Sequence, residues 1–391
     1  FNAVLGSPDN RYDNRILFGD ARYAPTLGPV ETLVRVYGDR NQFGSDFAYD
    51  GIRQPGSTGG FRESDPNWSL GLELQGRAQL AKGLLFTLGG EQNWQHYGGI
   101  ATQDPASVLT QVQHRMGNFY AQAEWTPSDT VTAIAGVQDA VWTVPRARSI
   151  TTTLQGITPR LGLIWQPTAL DIFKVLYGGG FRNPTIFESY YADGSTFVAN
   201  PALRPERINT LEGIWVRVWR NGVQTQLAAS RSRWTNLVDA TNLGGGFQQF
   251  QNDPRNIQGS SLEGEVQGRL GEWLVYGQAG FYRWDQAGAP VTDSVHAQGA
   301  LRIIRHWGAW SATAEVRQMG GREGYAGVPG TPPSTVLRAS ARWQGSRVWA
   351  RAVVEDAGNA RRTDLVATDY LPITRMASDG RTFFLTLGLP F

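Results

Sequence analysis

The chain has 391 residues, with 36 Lys and Arg against 34 Asp and Glu, a net charge of +2 and no cysteine. That balance gives no nucleic-acid footprint, and the lack of cysteine excludes disulfides and thiolate metal sites. Four histidines, His96, His114, His296 and His306, stand without ligand spacing, so a zinc enzyme is not expected.

No apolar run reaches the roughly 18 residues of a transmembrane helix. The 47 Gly, 14 Trp, 13 Tyr and 17 Phe are spread along the whole length, which suits a large β-architecture. Only Lys82 and Lys174 are lysines, a bias that a genome explains as readily as a function. The chain is long for one ordinary soluble domain, yet no linker, charge block or low-complexity segment divides it, so residues 1–391 read as a single domain. The start, Phe1-Asn2-Ala3-Val4, is neither basic nor an initiator and reads as a cut.

Taken in order, strands are expected at Arg15–Ala24 and Val30–Arg40, followed by a long loop at Asn41–Trp68. In Ser69–Leu80, Leu70, Leu72, Leu74, Ala78 and Leu80 alternate with Ser69, Glu73, Gln75, Arg77 and Gln79, the period of a strand with one apolar face. Leu84–Tyr97, Gln113–Trp125 and Val131–Thr143 follow, and Phe119, Ala121, Ala123 and Trp125 lie opposite Tyr120, Gln122 and Glu124. Thr158–Gln166 and Asp171–Phe181 then lead into the loop Arg182–Ile208, and Asn209–Trp219 leaves it. Further strands are expected at Val223–Asp239, Phe247–Leu270, Trp273–Asp285, Ser294–Arg305, Trp307–Gln318, Ser334–Trp343 and Arg347–Asp356. The last, Arg381–Phe391, puts Phe383, Leu385, Leu387, Leu389 and Phe391 on one side. Sustained spacing of three and four is absent, so helix content should be very small.

These are about 17 strands, most of them long enough to cross a bilayer at a tilt, which takes roughly 9–11 residues. Their connections alternate. Pro25–Pro29, Ala81–Gly83, Thr126–Thr130, Pro167–Leu170, Arg220–Gly222, Gly271–Glu272, the turn at His306 and Gln344–Ser346 are short. Asn41–Trp68, Gly98–Val112, Val144–Ile157, Arg182–Ile208, Ala240–Gly246, Gln286–Asp293, Met319–Pro333 and Ala357–Gly380 are longer. Short turns on one side and long loops on the other are the pattern of an outer-membrane barrel. A soluble propeller or lectin would carry shorter strands and polar residues on both faces, against the run of Leu70, Leu72 and Leu74.

Phe181-Arg182-Asn183-Pro184 and Asn200-Pro201-Ala202-Leu203, followed by Arg204-Pro205-Glu206, resemble the paired "FRAP" and "NPNL-KPE" boxes of TonB-dependent outer-membrane receptors. Val354-Glu355-Asp356-Ala357-Gly358-Asn359 and Gly380-Arg381-Thr382-Phe383 resemble that family's "VEN-FD" segment and the "GR" start of its final strand. The aromatic end at Phe391 resembles the signal read by the barrel-assembly machinery. The resemblance implies an all-β fold, a transmembrane antiparallel β-barrel with about 17–18 strands present of a 22-stranded receptor barrel. It implies partners too: outer-membrane lipid, and an inner-membrane TonB complex acting through a plug segment that the sequence does not contain. Counted back from the C-terminus, the first strand here would be the sixth, so the chain reads as a fragment, and an open sheet edge in hydrocarbon would leave backbone groups unpaired.

No catalytic constellation stands out, so no reaction and no cofactor are expected. Glu263 and Glu265 share a strand face and read as solvated wall charges. Ligand capture is the better reading: ferric siderophores call for arginine to meet charge and aromatic rings to stack. The ligand-binding candidates are Arg182, Tyr190, Tyr191, Arg204 and Arg207 in the central loop, Tyr49, Arg53 and Arg62 in the first long loop, and Arg322 and Tyr325 in a late one. Aromatics near strand ends also serve the interfacial girdle, and Arg182 and Pro184 also suit an architectural role. Haem receptors of the family carry a histidine between the boxes; none stands between Pro184 and Asn200, although Tyr190 or Tyr191 offers an iron ligand. The expected function is TonB-energised uptake of a ferric siderophore or similar scarce nutrient in the bacterial outer membrane. The alternative is a passive porin, which leaves the boxes unexplained.

Overall fold

The computed structural model describes residues 11–48, 60–98, 112–146, 150–192, 196–324, 328–360, 362–365 and 375–389. Among the described residues the alternation becomes sheet almost everywhere, with 23 strands and a single helix, Ile186–Tyr190. A large antiparallel sheet holds 19 strands, and the other four form two hairpins. Two of the 19, Thr26–Leu27 and Ala289–Pro290, are two-residue pieces. The rest match the expected strand number.

Two compact units divide the chain. One comprises Phe1–Leu163, Tyr177–Asn209 and Trp234–Asn256, the other Ile164–Leu176, Thr210–Arg233 and Ile257–Phe391.

In the first unit, Arg11–Tyr23, Val30–Ala48, Gly60–Ala81, Leu84–Tyr97, Val112–Ser128 and Val131–Arg146 each pair antiparallel with the next. One face is apolar and bare: Leu74 is 52% exposed, Leu80 62% and Phe119 61%. The other face carries Glu73, Gln75, Arg77, Gln122 and Glu124. On that polar face Tyr37 lies over Gly71 and Tyr120 over Gly89, so closely that a Cβ at either glycine would fall inside the ring. The two hydroxyls are thereby aimed across the strands. Tyr37 donates to Glu91 and accepts from Asn93 Nδ2 at 3.2 Å, while Tyr120 donates to Glu73 at 3.4 Å.

In the second unit Ile257–Leu270, Trp273–Gln286, Ala297–Trp307, Trp310–Met319, Ser334–Gln344, Trp349–Glu355 and Thr382–Gly388 pair in sequence. Its apolar face is bare as well, with Phe383 and Leu385 72% and 74% exposed. At its short turns stand the exposed indoles of Trp273, Trp307, Trp310 and Trp343, with Arg305 over the Trp273 ring at 5.1 Å. This is the aromatic girdle of a membrane interface. On the polar face Glu315, almost fully buried, accepts from Arg302 and Arg317.

Few apolar side chains are buried, and the packed cluster formed by Ile186 and Tyr191 belongs to a loop, not to a strand layer. A water-soluble fold of this size needs a core. Here the apolar face meets lipid instead, and hydrogen-bonded pairing satisfies the backbone within it.

Several boundaries differ from expectation. Val30–Ala48 and Gly60–Ala81 run far into the expected loop Asn41–Trp68, and Val131–Arg146 with Ile150–Trp165 replace most of Val144–Ile157. These extensions carry no regular alternation of apolar and polar residues to betray them. The expected strands Val223–Asp239 and Phe247–Leu270 are each interrupted. Gln224–Thr235 ends at Asn236, whose φ is +57°, and Ile257–Leu270 begins after the turn at Asp253. The pieces between them, Val238–Gly244 and Phe247–Asn252, pair with each other as a separate hairpin. Phe391 lies outside the described residues.

Candidate functional site

The central loop is built in the first unit from both sequence boxes. Pro184 is fully buried and ends the strand Asp171–Arg182. Thr185 then caps the helix Ile186–Tyr190 in a capping box: its hydroxyl accepts from the Glu188 amide at 3.1 Å, and Glu188 Oε2 accepts from the Thr185 amide at 2.7 Å. Arg182 grips Glu188 at 2.8 and 3.0 Å and Glu206 twice at 2.7 Å. Glu206 in turn accepts from the Val238 amide at 2.7 Å. One guanidinium therefore joins the first box, the helix, the end of the second box and the hairpin. Burial pushes the Glu188 carboxyl up, but the hydrogen bonds from Arg182 and Thr185 outweigh it and hold the group below the usual carboxylate range.

The second box is clamped by amides. Asn200 Nδ2 donates to the Phe250 carbonyl at 2.8 Å and its Oδ1 accepts from the Ala202 amide. Asn252 Oδ1 accepts from the Arg204 amide, and its Nδ2 donates to the carbonyls of Arg204 and Asn236, all at 2.8 Å. A parallel bridge between Phe197 and Gln248 sews the loop onto the hairpin edge. Rings fill the space between: Phe187 stacks on Tyr191 at 4.4 Å, and Phe197 on Phe250 at 5.6 Å. Leu203 is 3% exposed.

Against this arch lies a cavity of about 720 Å³. Tyr97, Trp142, Phe181 and Phe187 supply its aromatic lining, and Gln95, Asn118, Gln138 and Asn183 supply amides. His114 sits edge-on to Trp142 at 5.3 Å, with Nε2 against Gln95 Oε1. Arg160 is the charged side chain of the lining. Carboxylates appear elsewhere on the same polar face, where a second cavity of about 450 Å³ is lined by Glu73, Glu91, Glu124 and Arg77.

Arg182 is committed to two carboxylates. Tyr191 is buried in the aromatic stack, with Tyr190 packed beside it. Arg204 and Arg207 are exposed, and Arg207 donates to the Gln155 carbonyl at 3.2 Å. In the second unit Arg322 meets Asp293 at 3.3 Å and Asp364 at 3.8 Å. Tyr49, Arg53 and Tyr325 lie outside the described residues, and Arg62 is placed by its backbone, opposite Asp46. The central loop thus gathers Arg182, Tyr190, Tyr191, Arg204 and Arg207, but mostly as parts of its own structure.

Sequence reasoning did not single out Arg160, Trp142, Asn252 or Asn236 as functional. Arg160 and Trp142 lie on polar strand faces among many similar residues, and only the fold brings them under the loop. Asn236 and Asn252 fell inside the expected strands Val223–Asp239 and Phe247–Leu270, and nothing local marks them as the clamp of a box roughly 30 to 50 residues away, separations set by tertiary contact. Among the described residues no group of three His, Asp or Glu could hold a metal ion.

A family model described as "TonB dependent receptor-like, beta-barrel" matches residues 2–376. No curated protein sequence matches. Among solved structures, the pyoverdine outer membrane receptor FpvA from Pseudomonas aeruginosa PAO1 is 12% identical at a TM-score of 0.76, the match covering 98% of this chain and 62% of that one. The Serratia marcescens hemophore receptor HasR, a double mutant solved with its hemophore HasA and heme, is 14% identical at 0.73, covering 98% and 67%. The copper transporter OprC is 11% identical at 0.80, covering 97% and 66%. The chain therefore spans about two-thirds of the length of these proteins, and identities this low show a shared fold.

Proposed function

The chain belongs to the TonB-dependent receptor-like β-barrel family, and from that premise we propose that it supplies wall and outward loops for TonB-energised uptake of a ferric siderophore or similarly scarce nutrient. The family places it in the bacterial outer membrane, among receptors and transporters and not among enzymes. Residues 1–391 are read as part of one barrel domain, whose plug transmits force from the inner-membrane complex.

The observation that carries the reading is the arch held by Arg182 over an aromatic and amide-lined cavity. A passive pore works with loops that merely narrow it, whereas a capture device needs a pre-organised rim, because ordering a loop at the moment of binding costs affinity. Exposed Arg204 and Arg207, with Tyr190 beside the arch and with Tyr49, Arg53, Arg62, Arg322 and Tyr325 of the other loops, are proposed to make the first contacts. The cargo of the three solved relatives differs, and they favour a scarce metal or its chelate without choosing among them.

The test is uptake of radiolabelled ferric chelates by cells expressing the intact gene as their sole receptor of this kind. Accumulation that stops when the TonB system is deleted supports the proposal. Accumulation or conductance that persists without it would make the protein a passive channel.

A further inference from the structure

The two arginines at the central cavity are used differently. Arg182, between the lining residues Phe181 and Asn183, is saturated by Glu188 and Glu206. Arg160 is exposed into the cavity from the strand Ile150–Trp165 and has no hydrogen-bond or ion-pair partner among the described residues, and no carboxylate lines that cavity. It also borders the second cavity, together with Asn118 and Gln138, where the wall turns acidic. There Glu73 and Glu91 stand directly opposite each other in register, and with Glu124 they outnumber the cations Arg77 of the lining and Arg35, which meets Glu73 at 3.5 Å, so, Arg160 aside, the wall keeps a net negative charge that disfavours further anions.

We infer that this cavity binds a ligand joining a single anionic, hydrogen-bond-accepting group to a flat aromatic portion, with Arg160 holding the anion and Tyr97, Phe181 and Phe187 the ring. The inference rests on the uptake reading and narrows it to one chemical class. A guanidinium presents a planar fork that matches a carboxylate or similar anion two bonds at a time. Asn118 and Gln138, which line the same cavity, supply further amide donors. A cationic ligand meets Arg160 unfavourably. A polyanion finds one fixed positive charge, with the Glu73, Glu91 and Glu124 wall adjoining it.

The experiment is a ligand-observed saturation-transfer NMR titration of the full-length receptor in detergent. Three probes are used: 2-hydroxybenzoate, its neutral amide 2-hydroxybenzamide, and the trianion benzene-1,3,5-tricarboxylate. The monoanion should bind about tenfold tighter than either of the others, a difference of about 1.4 kcal/mol. Arg160→Gln should abolish its advantage over the amide, Arg160→Lys should keep part of it, and Arg255→Gln, at a loop arginine already paired with Asp253, should leave it intact. Equal binding of acid and amide, binding of none of the probes, or an advantage that survives Arg160→Gln would overturn the inference. Loss of the acid preference with TonB-dependent uptake intact refutes this inference alone. An intact acid preference without such uptake refutes the receptor reading alone.

Discussion

Arg182 gathers two carboxylates that lie 6 and 24 residues from it in the chain. A lysine in its place offers one compact charge and cannot hold both carboxylates in parallel pairs of bonds. Arg182→Lys should therefore loosen the arch by about 1–2 kcal/mol, a range discounted for its partial exposure. The Thr185 and Val238 amides, whose acceptors Arg182 positions, should exchange roughly tenfold faster or more by hydrogen-exchange mass spectrometry. Unchanged protection at both amides would remove the architectural role. A second residue-scale device sits in the loops of the second unit, where His296 Nε2 meets Glu323 at 2.7 Å. The Glu323 hydrogen bond raises the His296 value, against a smaller opposing effect of burial. Its folded value thus lies above the unfolded one. The contact contributes fully below the unfolded histidine value and is lost as pH rises through the folded one. Exchange at Tyr282, whose amide donates to the His296 carbonyl, should accelerate on that alkaline side, and Glu323→Gln should remove the pH dependence. The importance of Arg182 was legible in its box, but the identity of its partners was not, because Glu206, itself held by the Val238 amide, reaches it only through the fold.

At the scale of elements, a strand's polar face is organised by what its neighbours lack. The Tyr37 and Tyr120 rings occupy the space over Gly71 and Gly89, and their hydroxyls reach Glu91 and Glu73 because of it. Gly71→Val would displace the Tyr37 ring and leave Glu91 without that donor. The expected result is a folded barrel of lower stability, by about 1–3 kcal/mol for an overpacked site, read as a lower urea midpoint in liposomes. Pairing the change with Tyr37→Ala should restore part of the loss, since the small side chain reopens the space. If the double variant is no better than the single, the packing account fails. Element boundaries were legible wherever one face meets lipid and the other water. They were not legible where the sequence lacks a regular alternation, as in the extensions up to Ala48 and back from Gly60. The hairpin Val238–Gly244 and Phe247–Asn252 was hidden for another reason: its arms continue the alternation of the flanking strands, and the breaks at Asn236 and Asp253 are single turns.

At the scale of the whole molecule, the bare apolar face of each unit is the main physical fact, because a chain with so few buried side chains depends on lipid for its hydrophobic stabilisation. Leu70→Arg places a charge on that face and should cost about 2–4 kcal/mol if the position lies near the bilayer midplane. Gln75→Arg, on the polar face of the same strand, should cost little. Refolding into vesicles followed by urea titration separates the two, and equal effects would mean that the faces are wrongly assigned.

The fold class, the strand number and the family were determined by the sequence itself. They depend on local periodicity and on short boxes, and a two-residue period with a lipid-facing side is visible one strand at a time. The tertiary structure decided the rest: which boxes touch, why Arg182 is spent on two glutamates, and how Arg160 comes to face a cavity with no carboxylate among the described residues that line it. Those facts depend on strand register and on contacts between residues tens of positions apart. Register is a property of paired strands that a single strand does not carry.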